Sequence, residues 1–348
     1  MKNKNIKCKR CGQTYEEGAM HDCKTMWYNK SILISGGTGS WGQELTKQLL
    51  QFDVKQIKIL ARNEYNQVSM KRKFNDPRLK IEIGNVRDYG KLNFACKGVN
   101  YVFHLSALKH VPICEEFPYE AIKTNINGTR NIIRASIENE VEIMVDVSSD
   151  KAVLPINTYG MTKAVGEKLT LNGANLGSKT KFMVVRGGNV IGTNGSVIPF
   201  WIDQLERFHK ITITDKKMTR YFLTLPDAIK LLFTAVASNI NGGLFVMRMP
   251  SCKMMDLAKV IIDHYSTENV TMIEEVGIRP GEKIDEVLVS KHETPMAYEY
   301  GDNYYLISTD PLLTKKYKKV TFEEYNSKDR LMTKEEIREL LKKGGYLK

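Results

Sequence analysis

From Ser31 to about Val190, short apolar runs alternate with stretches long enough for helices. The runs are Ile32–Ile34, Ile57–Leu60, Leu79–Ile83, Tyr101–Leu105, Ile143–Val147 and Phe182–Val185. Between them lie segments such as Gln43–Phe52 and Tyr119–Glu138, suited to crossover helices. Apolar strands separated by helices predict a parallel sheet covered on both faces. From about Asn194 the pattern turns irregular, with short elements interrupted by Pro and Gly, as expected of a smaller domain closing over the first. Residues 1–29 are polar and rich in Cys, His and Lys. The chain is therefore read as a 1–29 extension, a 30–193 sheet domain and a 194–348 domain, some of which returns to the sheet.

Composition narrows the class. Apolar residues are 42% and charged residues 26% of the 348, ordinary values for a globular chain. No run of about 18 apolar residues offers a membrane span, and Met1-Lys2-Asn3-Lys4 leads into no apolar signal segment. Six cysteines are too few for a disulfide scaffold, so a reducing, cytoplasmic setting is expected. The net charge of +12 fits a phosphate-bearing partner or a solvated basic surface such as Lys315–Lys319, and charge alone does not choose.

Strand Ser31–Ser35 runs into Gly36-Gly37-Thr38-Gly39-Ser40-Trp41-Gly42, and a helical segment follows. Glycines at 36, 39 and 42 allow a tight turn, close approach to a pyrophosphate and close helix–strand packing, with the helix N-terminus facing the phosphates. In that position the turn points to a dinucleotide and to a Rossmann-type doubly wound sheet. The second strand ends Ala61-Arg62-Asn63 without an acid at its tip, and Arg62 is in reach of a 2′-phosphate, so NADP is favoured over NAD. Glu64 keeps NAD open. Asn85 and Val86, after the third strand, are placed to meet the adenine.

The fifth strand ends Ser149-Asp150-Lys151, where ligands bind in parallel sheets. Tyr159 and Lys163 follow four residues apart, on one helix face. An ammonium beside a phenol favours phenolate and makes Tyr159 a base. Tyr119 and Lys123 share that spacing but follow no polar strand end, and are read as a surface pair. Hydride transfer needs one base, so the extra Asp150/Lys151 pair points to a further proton transfer such as loss of water; a loop salt bridge is the plainer reading.

In the extension, Cys8, Cys11, His21 and Cys23 have C-x2-C-x9-H-x-C spacing. Three thiolates and one imidazole make a tetrahedral set for structural Zn²⁺. A tail without metal is the alternative.

Taken with Ala107–Pro112, Ser149–Lys163, Arg186–Gly192, Gly195–Phe200, Met218–Phe222 and Arg279–Glu286, these motifs resemble extended short-chain dehydrogenase/reductases acting on nucleotide sugars. More narrowly, they resemble the inverting UDP-N-acetylglucosamine 4,6-dehydratases of the polysaccharide-biosynthesis group. The resemblance implies oxidation of sugar C4 by NADP⁺, with Tyr159 taking the hydroxyl proton and Lys163 holding the nicotinamide ribose. It implies that Lys151, aided by Tyr159, removes the C5 proton, that Asp150 protonates the leaving C6 hydroxyl, and that Ser149 binds the 4-oxygen. Hydride return to C6 and protonation of C5 from the opposite face would give UDP-2-acetamido-2,6-dideoxy-β-L-arabino-hex-4-ulose. Cofactor-binding residues implied are Gly36, Thr38, Gly39, Ser40, Trp41, Gly42, Arg62, Asn63, Asn85, Val86, Ser106, Ala107, Lys109, Asn125, Tyr159 and Lys163. Substrate-binding residues implied are Lys109, Asn189, Ser196, Val197, Pro199, Thr219, Arg220, Arg279 and Glu282. His110 is read as structural. Asn85 stands where the family carries Asp, and Ser149 where it most often carries Thr.

Retaining dehydratases like the dTDP-glucose enzymes carry Asp-Glu at 150–151, and simple 4-epimerases lack the pair. A UDP-sugar 4-epimerase or retaining dehydratase is the alternative enzyme. A zinc-ribbon nucleic-acid-binding protein with a nucleotide-sensing domain is the alternative of another class, opposed by the intact Asp150, Lys151, Tyr159 and Lys163 set. Relatives assemble as dimers or hexamers, so a homo-oligomer is expected, without membrane or nucleic-acid partners.

Overall fold

The computed structural model describes residues 5–7, 14–16, 23–193, 196–266 and 272–347. Near the N-terminus, Asn5–Lys7 (β1) pairs antiparallel with Thr14–Glu16 (β2), and helix Cys23–Trp27 (α1) follows. The expected zinc ligands Cys8, Cys11 and His21 lie outside the described residues, as does the side chain of Cys23. Trp27 is fully buried and packs 5.5 Å from the Tyr101 ring and 4.9 Å from the Phe233 ring. The boundary expected at residue 29 therefore falls just inside packed core.

The alternating region runs β3 Ser31–Ser35, α2 Ser40–Leu49, β4 Gln56–Ala61, α3 Glu64–Phe74, β5 Leu79–Ile83, α4 Tyr89–Cys96 and β6 Tyr101–His104. It continues α5 Val111–Glu116, α6 Pro118–Ala121, α7 Gly128–Glu138, β7 Ile143–Ser149, α8 Thr158–Gly173 and β8 Lys181–Gly187. Then come β9 Asn189–Val190, α9 Val197–Phe208, β10 Lys210–Ile213, β11 Thr219–Leu223, α10 Leu225–Ser238, β12 Gly243–Met247, β13 Ser251–Lys253 and α11 Met254–Tyr265. The chain ends β14 Met272–Glu275, β15 Val287–Val289, β16 Ala297–Tyr300, β17 Tyr304–Ile307, β18 Tyr325–Asn326 and α12 Lys334–Lys343.

Each expected apolar run is a strand of one sheet ordered β16-β17-β12-β8-β7-β6-β3-β4-β5. From β12 to β5 neighbours are parallel, and β17 and β16 extend the edge antiparallel. Successive β3 side chains point to opposite faces. Ile32 and Ile34 pack in a cluster with Leu45 and Leu49 of α2 and with α10, whereas Leu33 joins Leu92 of α4 and Ile132 of α7. The chain reverses its direction of travel across the sheet at β3, which lies between β4 and β6. A crevice opens beyond the carboxyl ends at such a point.

The crossover expected at Tyr119–Glu138 is broken. The Phe117-Pro118 junction ends α5, and a π-helical turn over Ile122–Asn127 separates α6 from α7. The later chain returns β12, β16 and β17 to the sheet and builds a second core from Trp201, Ile211, Phe222, Leu257, Ile261, Ile337 and Leu341. Among the described residues, no helix is long and apolar enough to cross a membrane.

Candidate active site

A cleft of about 1280 Å³ runs from the glycine turn after β3 to the loop before β15. At the turn, a Cβ on Gly42 would lie 2.2 Å from the Gly37 carbonyl oxygen, so only glycine lets α2 approach the strand this closely. Gly39 caps α2 without a side chain, which leaves first-turn N–H groups to an anion. Gly36, Thr38, Gly39, Ser40, Trp41 and Gly42 all line the cleft, and this cradle fits a pyrophosphate.

Arg62, Asn63, Asn85, Val86, Ser106, Ala107 and Lys109 continue the lining. Arg62 is exposed there, whereas the Asn63 side chain accepts from Asn66 N–H at 2.9 Å and is committed to capping α3. His110, expected to be structural, is exposed and also lines the cleft. Asn125 does not line it. From the π-helical turn its amide bonds both the N–H and the carbonyl of Leu108, at 2.8 and 2.9 Å, and the Thr162 hydroxyl. It shapes the wall by holding the loop after β6.

The reactive end is built at the tip of β7. Ser149 Oγ accepts from Lys151 N–H (2.9 Å) and donates to Asp150 Oδ1 (3.0 Å), folding Asp150–Ala152 into a 3₁₀ turn. Asn157 caps α8 by accepting from Gly160 N–H at 2.7 Å. A Cβ on Gly160 would fall 2.1 Å from the Lys151 carbonyl oxygen, so glycine lets the first turn of α8, carrying Tyr159, seat against the Lys151 backbone. Asp150 is buried, and Lys151 Nζ lies 3.2 and 3.4 Å from its two oxygens. Glu286 adds a second carboxylate 3.4 Å from Lys151 Nζ. Desolvation pulls the Lys151 pKa down, but Asp150 and Glu286 outweigh it and hold the ammonium above the ordinary lysine range.

Tyr159 lines the cleft beside Ser149. Burial raises its pKa, against the downward pull of Lys163, Ser149 and Lys151. The expected net lowering is therefore not met in the chain alone. Lys163 is buried away from the cleft lining, with Nζ 3.4 Å from both oxygens of buried Asp146, so part of its field falls on that carboxylate.

On the substrate side, Asn189, Ser196, Val197, Pro199, Arg220, Arg279 and Glu282 line the cleft. Two expectations change. Thr219 is turned away, its hydroxyl bonded to Asp285 and Ser327. Arg220 directs NH1 and NH2 to the carbonyls of Thr219, Ile284 and Lys283, at 2.7–3.0 Å, and so clamps the loop before β15 instead of offering those N–H groups to a diphosphate. Arg279 is the exposed guanidinium of that loop. Sequence reasoning gave Asp146 and Glu286 no role. The signal for Asp146 is an acid inside the apolar run of β7; that for Glu286 is its place at the end of the Arg279–Glu286 motif, where its spatial partner Lys151 could not be read.

The glycine turn after β3 and the Tyr/Lys pair of α8, beside the carboxyl ends of one parallel sheet, belong to a fold of the extended short-chain dehydrogenase type. The family model described as polysaccharide biosynthesis protein matches residues 32–308, and the chain belongs to that family. It is 41% identical over 331 residues to a UDP-glucose 4-epimerase of Rickettsia bellii, covering 91% of this chain and 96% of the relative. It is 38% identical over 336 residues, 94% of this chain and 99% of the other, to a Methanocaldococcus jannaschii protein described as an uncharacterized membrane protein. The X-ray structure of Pen from Bacillus thuringiensis superposes with a TM-score of 0.87 at 37% identity, covering 92% of this chain and 99% of that one. Nucleotide-sugar dehydratases and epimerases are among the solved structures that share the fold.

Proposed function

We propose that the chain is an NADP-dependent UDP-N-acetylglucosamine 4,6-dehydratase that inverts C5. The observation that carries this reading is the buried Asp150 held against Lys151 in the cleft that Tyr159 also lines. Epimerisation has no use for that pair.

When bound, NADP supplies an acceptor for the two electrons leaving C4 and the donor that returns them to C6. The glycine turn would hold its pyrophosphate and Arg62 its 2′-phosphate, while Lys163, behind the lining and paired with Asp146, would act on the nicotinamide end through its charge. Ser149 hydrogen-bonds the sugar 4-oxygen while Tyr159 takes the 4-hydroxyl proton. A carbonyl at C4 acidifies the C5 proton. Lys151 rests as an ammonium, so its proton must move before it can act as a base. Asp150 Oδ1, 3.2 Å away, is in place to take it. That one transfer readies both partners: the amine removes the C5 proton with help from Tyr159, and the carboxylic acid protonates the departing C6 hydroxyl. A proton from solvent added to C5 on the opposite face, with Tyr159 releasing the 4-hydroxyl proton in exchange, closes the balance and gives the L-arabino product. Arg279 and Glu282 face the diphosphate and ribose, Lys109 and Asn189 the sugar or diphosphate, and Ser196, Val197 and Pro199 the uracil.

The second reading is a UDP-sugar 4-epimerase, favoured by the likeness to the Rickettsia bellii UDP-glucose 4-epimerase. NMR of UDP-N-acetylglucosamine incubated with the protein in D₂O decides between them. Deuterium at C5 of a 4-keto-6-deoxy product is expected, and Lys151→Ala should abolish it while still binding NADP. Scrambled C4 with an intact C6 hydroxyl would replace this reading with the second. Beyond the chemistry, we assign the chain to the cytoplasm and to a homo-oligomer. Exposed Ile122, Met161 and Val165 supply an apolar face for self-association. We assign Cys8, Cys11, His21 and Cys23 to a structural zinc site, on their spacing alone.

A further inference from the structure

Lys151 faces a carboxylate that the reaction above does not use. Glu286, immediately before β15, is 2% exposed. Its Oε1 lies 3.4 Å from Lys151 Nζ and 3.8 Å from Arg220 Nε, and its Oε2 is buried without a hydrogen-bond partner among the described residues. The backbone fixes it from both sides. Glu286 N–H donates to Ser327 Oγ at 2.9 Å, and its carbonyl accepts from Ser327 N–H at 2.9 Å. A buried carboxylate with an unsatisfied oxygen costs stability, and such exceptions concentrate at functional sites.

An ion pair serving only the fold would use Arg220. That side chain instead turns NH1 and NH2 to carbonyl groups and leaves Nε beyond hydrogen-bond distance of Glu286. The nearer cation is Lys151. The charged and titratable groups facing Lys151 are Asp150 and Tyr159 from its own part of the chain, Arg220 from β11, and Lys283 and Glu286 from the loop before β15. Asp150 and Glu286 favour the ammonium, while Arg220 and Lys283 oppose it.

We propose that Glu286 is a positioning residue for the dehydration step: it holds the Lys151 ammonium beside Asp150 and governs when the proton passes between them. The proposal rests on the dehydratase reading and deepens it. In the transfer an N–H bond of Lys151 breaks and an O–H bond on Asp150 forms, and the summed charge of the two stays at zero. The Glu286 charge favours the starting arrangement, so it keeps the amine protonated and sets how much the transfer to Asp150 costs.

Glu286→Gln and Glu286→Asp in the full chain test this with two readouts. The first needs no sugar: pH-dependent acetylation of Lys151 by acetic anhydride, read by mass spectrometry. The half-labelling pH should fall by about one unit or more in Glu286→Gln, the size expected when an opposite charge a few ångströms away is removed. Glu286→Asp should lie nearer the wild type. The second is C5 deuterium incorporation from UDP-N-acetylglucosamine against pH, whose acidic limb should move the same way. An unchanged half-labelling pH in a Glu286→Gln protein that keeps its Tm and NADP affinity overturns the hold on Lys151, whatever reaction the enzyme runs. A shifted half-labelling pH with an unmoved acidic limb overturns control of the transfer. Wild-type protein that only epimerises C4 sinks the dehydratase reading, and with it a role for Glu286 in dehydration.

Discussion

His104, at the end of β6, is 1% exposed, with Nδ1 2.7 Å from Ser35 Oγ and Nε2 3.2 Å from Thr129 Oγ1. Burial, reinforced by the Lys163 charge, pushes its pKa down to about 3. The folded imidazole is therefore neutral, while the unfolded one gains a proton below about 6.5. Stability from this residue is full above the unfolded value and is lost as pH falls toward the folded one. By pH 5 the loss is about 2 kcal/mol. Urea unfolding at pH 7 and pH 5 should show that drop, and a His104→Asn variant should show a smaller one. Neighbouring residues mark how far sequence reaches at this scale. Tyr159 and Lys163 were legible because helix spacing puts them on one face, and Asp150 and Lys151 because they end a strand. Which partners absorb a charge was not legible: Lys163 meets Asp146, and Arg220 meets backbone carbonyls, through contacts far apart in sequence.

Between elements, Arg186 at the end of β8 makes a buried, many-point tie. Its guanidinium makes a two-point contact with Glu167 of α8, at 3.0 and 2.7 Å, and reaches the Leu288 carbonyl and Glu293 beyond β15. Glu167 is 4% exposed, so an Arg186→Met chain would leave an unpaired buried carboxylate. The expected loss is about 3–5 kcal/mol, the usual cost of removing one partner of a buried pair. A denaturant midpoint close to wild type would show that Glu167 finds another partner. The strands around this tie were legible because β3, β6, β7 and β8 are buried on both faces and read as apolar runs. The helix between β6 and β7 was not. Its apolar period continues through the π-helical turn, and the inserted register appears only where Asn125 turns back to bond Leu108. The return of β12, β16 and β17 to the sheet was legible as an expectation but not as an order, because pairing partners are set by packing across the whole fold.

At the scale of the molecule, the cleft lies between the sheet with its flanking helices and the second core around Trp201 and Leu257. Few polar contacts would be needed to keep these halves in register, and three lie beside the reacting groups. Asn157 Nδ2 donates to the Gly281 carbonyl at 2.7 Å, Lys283 Nζ donates to the Val153 carbonyl at 2.6 Å, and Lys151 pairs with Glu286. The loop before β15 thus joins the cap of α8 to the turn after β7, so opening the cleft would disturb the proposed reacting groups. Ligand linkage follows from this. NADP at a hundredfold its Kd should add about 2.7 kcal/mol to unfolding, and calorimetry should show one transition moving up, because the sheet cannot unfold without releasing that loop. On the proposed function UDP would bind from the other side, and it should raise the same transition. If NADP moved one transition and UDP a separate one, the two halves would be unfolding independently, and contacts across the cleft would be too weak to couple substrate binding to the charge state of Lys151.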